Sequence, residues 1–104
     1  MLIREKDKNT LVNIAKKTIN TPCEIIAYGS RVDGSAHDTS DLDLVIRSKK
    51  GFVLTFNELI DFKEKIQNSN IPILVQVFDW NRIPENFKSG ILGCYEILCE
   101  VRKK

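Results

Sequence analysis

A short apolar run, residues 24–28, ends directly in Gly29-Ser30, and after ten further residues the chain reads Asp41-Leu42-Asp43-Leu44-Val45-Ile46. Both apolar runs have strand composition, so the spacing demands two strands that bring a tight turn and a carboxylate pair to one end of a sheet. Residues i and i+2 of a strand face the same way, about 6.6–7 Å apart along it. Asp41 and Asp43 therefore share a face. Two such carboxylates repel each other and cost stability unless a cation lies with them. Hard divalent cations take carboxylate oxygens as ligands. Gly29 supplies a turn where positive φ or close backbone approach is needed. Ser30 brings a hydroxyl and backbone N–H groups, a natural seat for a phosphate. Either half alone is explained by an ordinary turn or an exposed strand start. Their joint placement suits phosphoryl or nucleotidyl transfer.

With 104 residues, the chain is expected to form a single domain over 1–104, with one core and no room for a second lobe. An enzyme of that size borrows part of its substrate site from a partner or from the substrate itself. Hydrophobic residues at 42% and charged residues at 29% exclude a disordered chain. Sixteen basic against fourteen acidic residues give +2, too balanced for a nucleic-acid surface, and no basic run is interleaved with aromatics. The first seven residues hold no apolar leader segment. The longest apolar stretch, residues 71–78, is interrupted by Pro72 and Gln76 and is too short to cross a bilayer. Cys23, Cys94 and Cys99 form no Cys-x-x-Cys pair and no metal spacing with His37. An odd count of thiols without a leader points to the cytoplasm. The Lys103-Lys104 end reads as a solvated tail.

Leu11, Ile14, Ala15, Thr18 and Ile19 mark one face of a helix, with Asp7, Asn9 and Thr10 as candidate caps. Residues 32–40 read as loop and 48–51 as a turn. A second helix runs from Phe52 or Thr55 to Asn68, with Phe56, Leu59, Ile60 and Ile66 as its buried stripe. Residues 73–78 form a third strand, apolar on both faces and hence expected to be the most buried. Pro84 opens a short helix over 85–91, and 95–101 has the composition of a final strand. The order α-β-β-α-β-α-β gives an α/β (α+β) fold: a small mixed sheet with helices packed on one side.

Gly29-Ser30-Arg31, the spacer, and Ser40-Asp41-Leu42-Asp43 resemble the signature of the DNA polymerase β nucleotidyltransferase superfamily, and most of all its minimal nucleotidyltransferase domains. The resemblance extends over nearly the whole chain. It takes in the strand before Gly29, the segment Val75-Gln76-Val77-Phe78-Asp79-Trp80, and Phe87 in a short helix. It implies the nucleotidyltransferase fold and transfer of an NMP, AMP from ATP, to a hydroxyl on a protein or other acceptor, with pyrophosphate leaving. It implies that Gly29, Ser30 and Arg31 bind the nucleotide. Asp41 and Asp43 would bind two Mg²⁺ ions, or Mn²⁺. It also implies a small helical partner protein, this chain being the antitoxin half of a toxin–antitoxin pair, or self-association.

One position departs from the family pattern. Where a third carboxylate would complete the metal site and serve as base, this chain has Gln76. An amide oxygen ligates a cation weakly and accepts no proton, and loss of a general base costs about 10²–10⁴ in rate. The competing expectation is therefore an impaired pseudoenzyme that binds nucleotide and neutralises its partner by occlusion. Alternation along the strand places Leu74, Gln76 and Phe78 on the face of Asp41 and Asp43. Val75, Val77 and Asp79 fall on the other face; Asp79 is the alternative third carboxylate, but from that face it reads first as a turn carboxylate. His37 is expected to be exposed, and Tyr28 and Trp80 to be core.

Overall fold

The structure, a computed structural model, describes residues 1–37 and 40–102, so the expected Lys103-Lys104 tail and positions 38 and 39 of the spacer loop lie outside it. Helix α1 spans Glu5–Thr18, strand β1 Cys23–Tyr28, helix α2 Ser30–Asp33 and strand β2 Leu42–Ser48. Helix α3 follows over Phe56–Gln67, then strand β3 over Val75–Asp79 and a 3₁₀ turn at Trp80–Arg82. Helix α4, Glu85–Gly93, and strand β4, Tyr95–Val101, close the described chain.

The four strands lie in the order β3-β2-β1-β4. β1 pairs antiparallel with both β2 and β4, while β2 and β3 run parallel through the α3 crossover. The sheet is thus mixed, as expected. Cys23, Ile25 and Ala27 of β1 and Leu42, Leu44 and Ile46 of β2 meet α1 and α3 on one face, all six fully buried. The opposite face carries a smaller cluster, in which Ile91 of α4 covers Ile26, Tyr28 and Val45. The long helices share one side of the sheet, and the short α4 lies on the other.

α1 begins earlier than its candidate caps. Asp7, Asn9 and Thr10 lie inside the helix, and Arg4 holds the cap position without a side-chain cap. Asp7 is buried and receives both the Nε and Nη2 of Arg4, at 2.9 and 3.1 Å. Glu5 and Asp7 in the first turn and Lys16 and Lys17 in the last suit the helix dipole. Leu11, Ala15 and Ile19 are the fully buried part of the expected stripe.

α3 opens with a capping box. Thr55 Oγ1 accepts from the Glu58 N–H at 3.2 Å, and Glu58 Oε1 accepts from the Thr55 N–H at 3.0 Å. Glu58 also accepts from the backbone of Asn20 and Thr21 and from the Thr21 hydroxyl, which ties α3 to the α1–β1 connection. The expected stripe of α3 is shifted. Leu59, Phe62 and Ile66 are buried, whereas Phe56 is 58% exposed and Ile60 36%. The helix presents Phe62 rather than Phe56 and Ile60 to the sheet, because Glu58 anchors its other flank toward Thr21.

β3 is the main correction. It is not the most buried strand but an edge, with only Val77 and Asp79 buried. β1 and β2 take the centre, and Leu74, just before β3, and Phe78 within it are exposed at 63% and 38%. β4 spans the expected residues, with a bulge where its register shifts opposite Ile25 and Ile26. Residues 32 and 33, expected as the start of the loop, belong instead to the helical turn of α2. Cys23 is buried, Cys99 half-buried and Cys94 exposed, all as free thiols. Burial pushes the Cys23 thiol up to about 12. No helix among the described residues is long and apolar enough to cross a membrane.

Candidate active site

The register assembles the site from three strands. Tyr28 lies opposite Asp43, and Asp43 opposite Gln76. Tyr28 also lies opposite Tyr95, so Gln76, Asp43, Tyr28 and Tyr95 form one row across the sheet. All four point to the face away from α1 and α3. Asp41, immediately before β2, joins them: Gln76 Nε2 donates to Asp41 Oδ2 at 2.9 Å. A carboxylate only accepts, so the amide nitrogen must be the atom turned toward it. The sequence placed Gln76 on the face of the two carboxylates, and the geometry agrees.

Gly29 is required twice. Its φ is +83°, in the region that favours glycine, and a Cβ there would lie 2.6 Å from Asp43 Oδ2. The chain then turns sharply into α2. The N–H groups of Val32 and Asp33 both return to Gly29 O at 3.0 Å. Ser30, the first residue of that turn, directly follows the glycine that approaches Asp43. Its hydroxyl has no partner among the described residues.

Burial, and secondarily the charge of Asp41, raise the Asp43 carboxyl above its ordinary range. Burial and the Asp43 carboxylate push the Tyr28 hydroxyl up to about 12. Tyr28 is therefore a neutral wall of the site as well as part of the small second cluster, its ring edge-on to Phe87 with centroids 5.9 Å apart. Phe87 also meets Phe78 edge-on at 5.7 Å. Trp80 is only half-buried, its indole between the guanidinium of Arg47 and the ammonium of Lys88 at 5.2 and 5.5 Å.

Arg31, a candidate phosphate ligand in the sequence, is buried with 8% exposure. Its guanidinium donates to the carbonyls of Ser40, Leu2 and His37 at 2.9, 2.6 and 3.3 Å. The Leu2 N–H returns a bond to Arg31 O at 2.7 Å. These contacts pin the N-terminal segment and the spacer loop behind the carboxylates. The sequence carried no signal for Leu2 as part of this scaffold. The spacer loop is closed further by Ser40 Oγ, which accepts from the His37 N–H at 2.8 Å. His37 is exposed, as expected. A groove of about 620 Å³ runs between the N-terminal segment and this loop, lined by Arg4, Arg31, His37 and Ile73, and not over Asp41 and Asp43.

Asp79 lies on the other face, buried to 5%. It accepts from the Asn81 N–H at 3.0 Å and pairs with Arg82 at 3.4 Å. It caps the 3₁₀ turn and does not join Asp41 and Asp43. No group of three or more His, Cys, Asp or Glu side chains placed to hold a metal occurs among the described residues. The site thus offers two carboxylates and one amide.

Comparison with known proteins agrees with this geometry. The family model described as polymerase beta, nucleotidyltransferase, matches residues 9–104. A probable protein adenylyltransferase MntA of Haemophilus influenzae is 38% identical over 77 residues, which are 74% of this chain and 66% of the relative. The chain therefore spans just under two thirds of that relative. A crystal structure of a toxin–antitoxin with AMP-PNP superposes with a TM-score of 0.72 at 17% identity, covering 88% of this chain and 72% of its own, a shared fold. From its Gly29 turn through the Asp41 and Asp43 pair to the end of β4, this chain is a member of the polymerase beta nucleotidyltransferase family.

Proposed function

We propose that the chain binds a nucleoside triphosphate with Mg²⁺ and transfers its NMP, AMP from ATP, to a hydroxyl of a partner protein. The observation that carries this reading is Asp43 set against the Gly29 turn, with Asp41 joined to the same cluster through Gln76. The carboxyl pair fits a hard divalent cation. Burial and mutual charge already disfavour ionised Asp43, and a cation would offset both. Asp41 and Asp43 would hold the metal, which supplies charge neutralisation for the phosphates and the leaving pyrophosphate. Ser30 Oγ and the first N–H groups of α2 would seat the phosphate tail. The acceptor oxygen forms its bond to the α-phosphorus as the bond to the bridging oxygen breaks, pyrophosphate departs, and the hydroxyl proton passes to water. The chain's own residues position and exclude rather than form covalent bonds.

The name of the relative supports AMP as the transferred group, and the toxin–antitoxin neighbour supports a protein partner, with this chain as antitoxin. A small helical partner encoded with this chain fits that reading. The test is incubation of the chain and its co-expressed partner with ATP labelled at the α-phosphate. Label on the partner that requires Mg²⁺, Asp41 and Asp43 supports transfer, and its absence contradicts it.

A second reading is favoured by Gln76. Its amide donates to Asp41 at the position where a carboxylate would accept the acceptor's proton. In this reading the site retains nucleotide and metal but turns over slowly or not at all, and the chain neutralises its partner by binding. Tight binding of Mg–ATP without transferred label separates it from the first.

A further inference from the structure

We propose that the open edge of β3 joins two copies of this chain, β3 against β3, as an antiparallel continuation of the sheet. The inference does not depend on the nucleotide reading. The Leu42 N–H donates to Leu74 O, so Leu74, Gln76 and Phe78 turn their main-chain groups toward β2. By alternation, the N–H and C=O groups of Val75, Val77 and Asp79 point out from the sheet. An unpaired apolar edge of this kind is a template for another strand.

The flanks of that edge are apolar on both sides of the sheet. Leu74 and Phe78 are exposed on the face of the carboxylates. Phe56 and Ile60 are exposed on the flank of α3 opposite Glu58, which holds the α1–β1 connection. The guanidinium of Arg82, just past β3, lies 5.9 Å from the Phe56 ring, so this flank borders the strand. The other edge is built differently. On β4, Glu96 pairs with the N-terminal amine, and Glu100 pairs with Lys49 and Arg102. Charges spaced along an edge guard it against pairing, and β3 has no such guard: its one ionisable residue, Asp79, is buried and capped from within.

The occupant is a second copy because β3 complements itself. With a two-fold axis at Val77, Val77 meets Val77, Val75 meets Asp79, and Gln76 meets Phe78. Every outward-pointing residue then falls in a hydrogen-bonded pair, and no like charges oppose each other. Such an isologous contact closes as a dimer. It places Phe78 of the second copy beside Gln76 and therefore beside the carboxylate site.

The test is sedimentation equilibrium combined with amide hydrogen exchange on the full chain and on Leu74→Glu and Phe56→Glu, both at exposed positions. The wild type should sediment at twice 11.9 kDa, and each variant should weaken self-association at least tenfold. Amides of Val75 and Val77 should exchange slowly in the dimer and quickly in the variants. The Phe78 amide, bonded within the sheet, should stay slow in all three, showing that the variants remain folded. A wild-type monomer up to about 1 mM overturns the proposal, whether or not a partner protein covers the edge. So does a dimer whose Val75 and Val77 amides exchange freely.

Discussion

Gln76 Nε2 donates to Asp41 Oδ2 at 2.9 Å, so an amide closes the cluster at the position where the family pattern has a carboxylate. The consequence for chemistry is one fewer negative charge for a metal and no proton acceptor at that position. Replacing Gln76 by Asp should therefore raise NMP transfer by at least an order of magnitude, since a general base is worth about 10²–10⁴ in rate. The same change should lower the melting temperature of the metal-free protein, because three carboxylates then repel, and Mg²⁺ should recover it. Thermal melts with and without Mg²⁺, beside a transfer assay, measure both effects.

Gly29→Ala should destabilise the chain by about 1–3 kcal/mol from its backbone conformation alone, φ +83° with ψ −157°, which is essentially restricted to glycine. The clash of its Cβ with Asp43 Oδ2 adds to that and displaces the carboxylate. Urea unfolding measures the first effect, and loss of Mg–ATP affinity measures the second. Gly34 also has positive φ but open space around it, so Gly34→Ala should cost stability while leaving affinity intact.

Arg31→Ala should cost about 1–3 kcal/mol, the usual penalty for leaving buried polar groups unsatisfied, because three backbone carbonyls lose their donor. Arg31→Lys should not restore it, since an ammonium lacks the planar fork that reaches all three. If Arg31 acts as a scaffold, the destabilisation is the same with and without nucleotide. Paired unfolding curves in both conditions make the comparison.

Glu58 gives the fold a defined acid response. Burial pushes its carboxyl up, but hydrogen bonds from Thr55, Thr21 and Asn20 outweigh that and bring it down to about 2. A folded value below the ordinary 4.5 stabilises the ionised native form. That contribution is complete above pH 4.5 and is lost as the pH falls toward 2. Stability should fall across that window in the wild type, and the fall should be shallower in Glu58→Gln. At neutral pH, Glu58→Ala should cost about 1 kcal/mol, as for other lost helix caps.

Features set by local periodicity were legible in the sequence. The period of two placed Asp41, Asp43 and Gln76 on one face and Asp79 on the other, and the structure agrees. Thr55 was one of two starts the sequence offered for α3, and the capping box with Glu58 is what selects it. Features set by sheet order were not legible. β3 reads as central because Ile73, Leu74, Val75, Val77 and Phe78 are apolar, yet it lies at an edge, and nothing within the strand encodes which neighbours it lacks. Phe56 and Ile60 continue the helical stripe of α3 but are exposed. Arg31 looked like a loop arginine free for phosphate because its partner Leu2 is 29 residues away. α1 starts at Glu5 without a side-chain cap, so no Asp, Asn or Thr marks its beginning.

The central claim is that Asp41 and Asp43, set against Gly29 and Ser30, form a metal-dependent nucleotide site. Titration calorimetry of ATP into the wild type and into the Asp41→Asn/Asp43→Asn double variant, each with Mg²⁺ and with EDTA, tests it most directly. The expected result is binding by the wild type only when Mg²⁺ is present, and none by the variant in either condition. Equal affinity in the variant, or wild-type binding unchanged by EDTA, would contradict the claim.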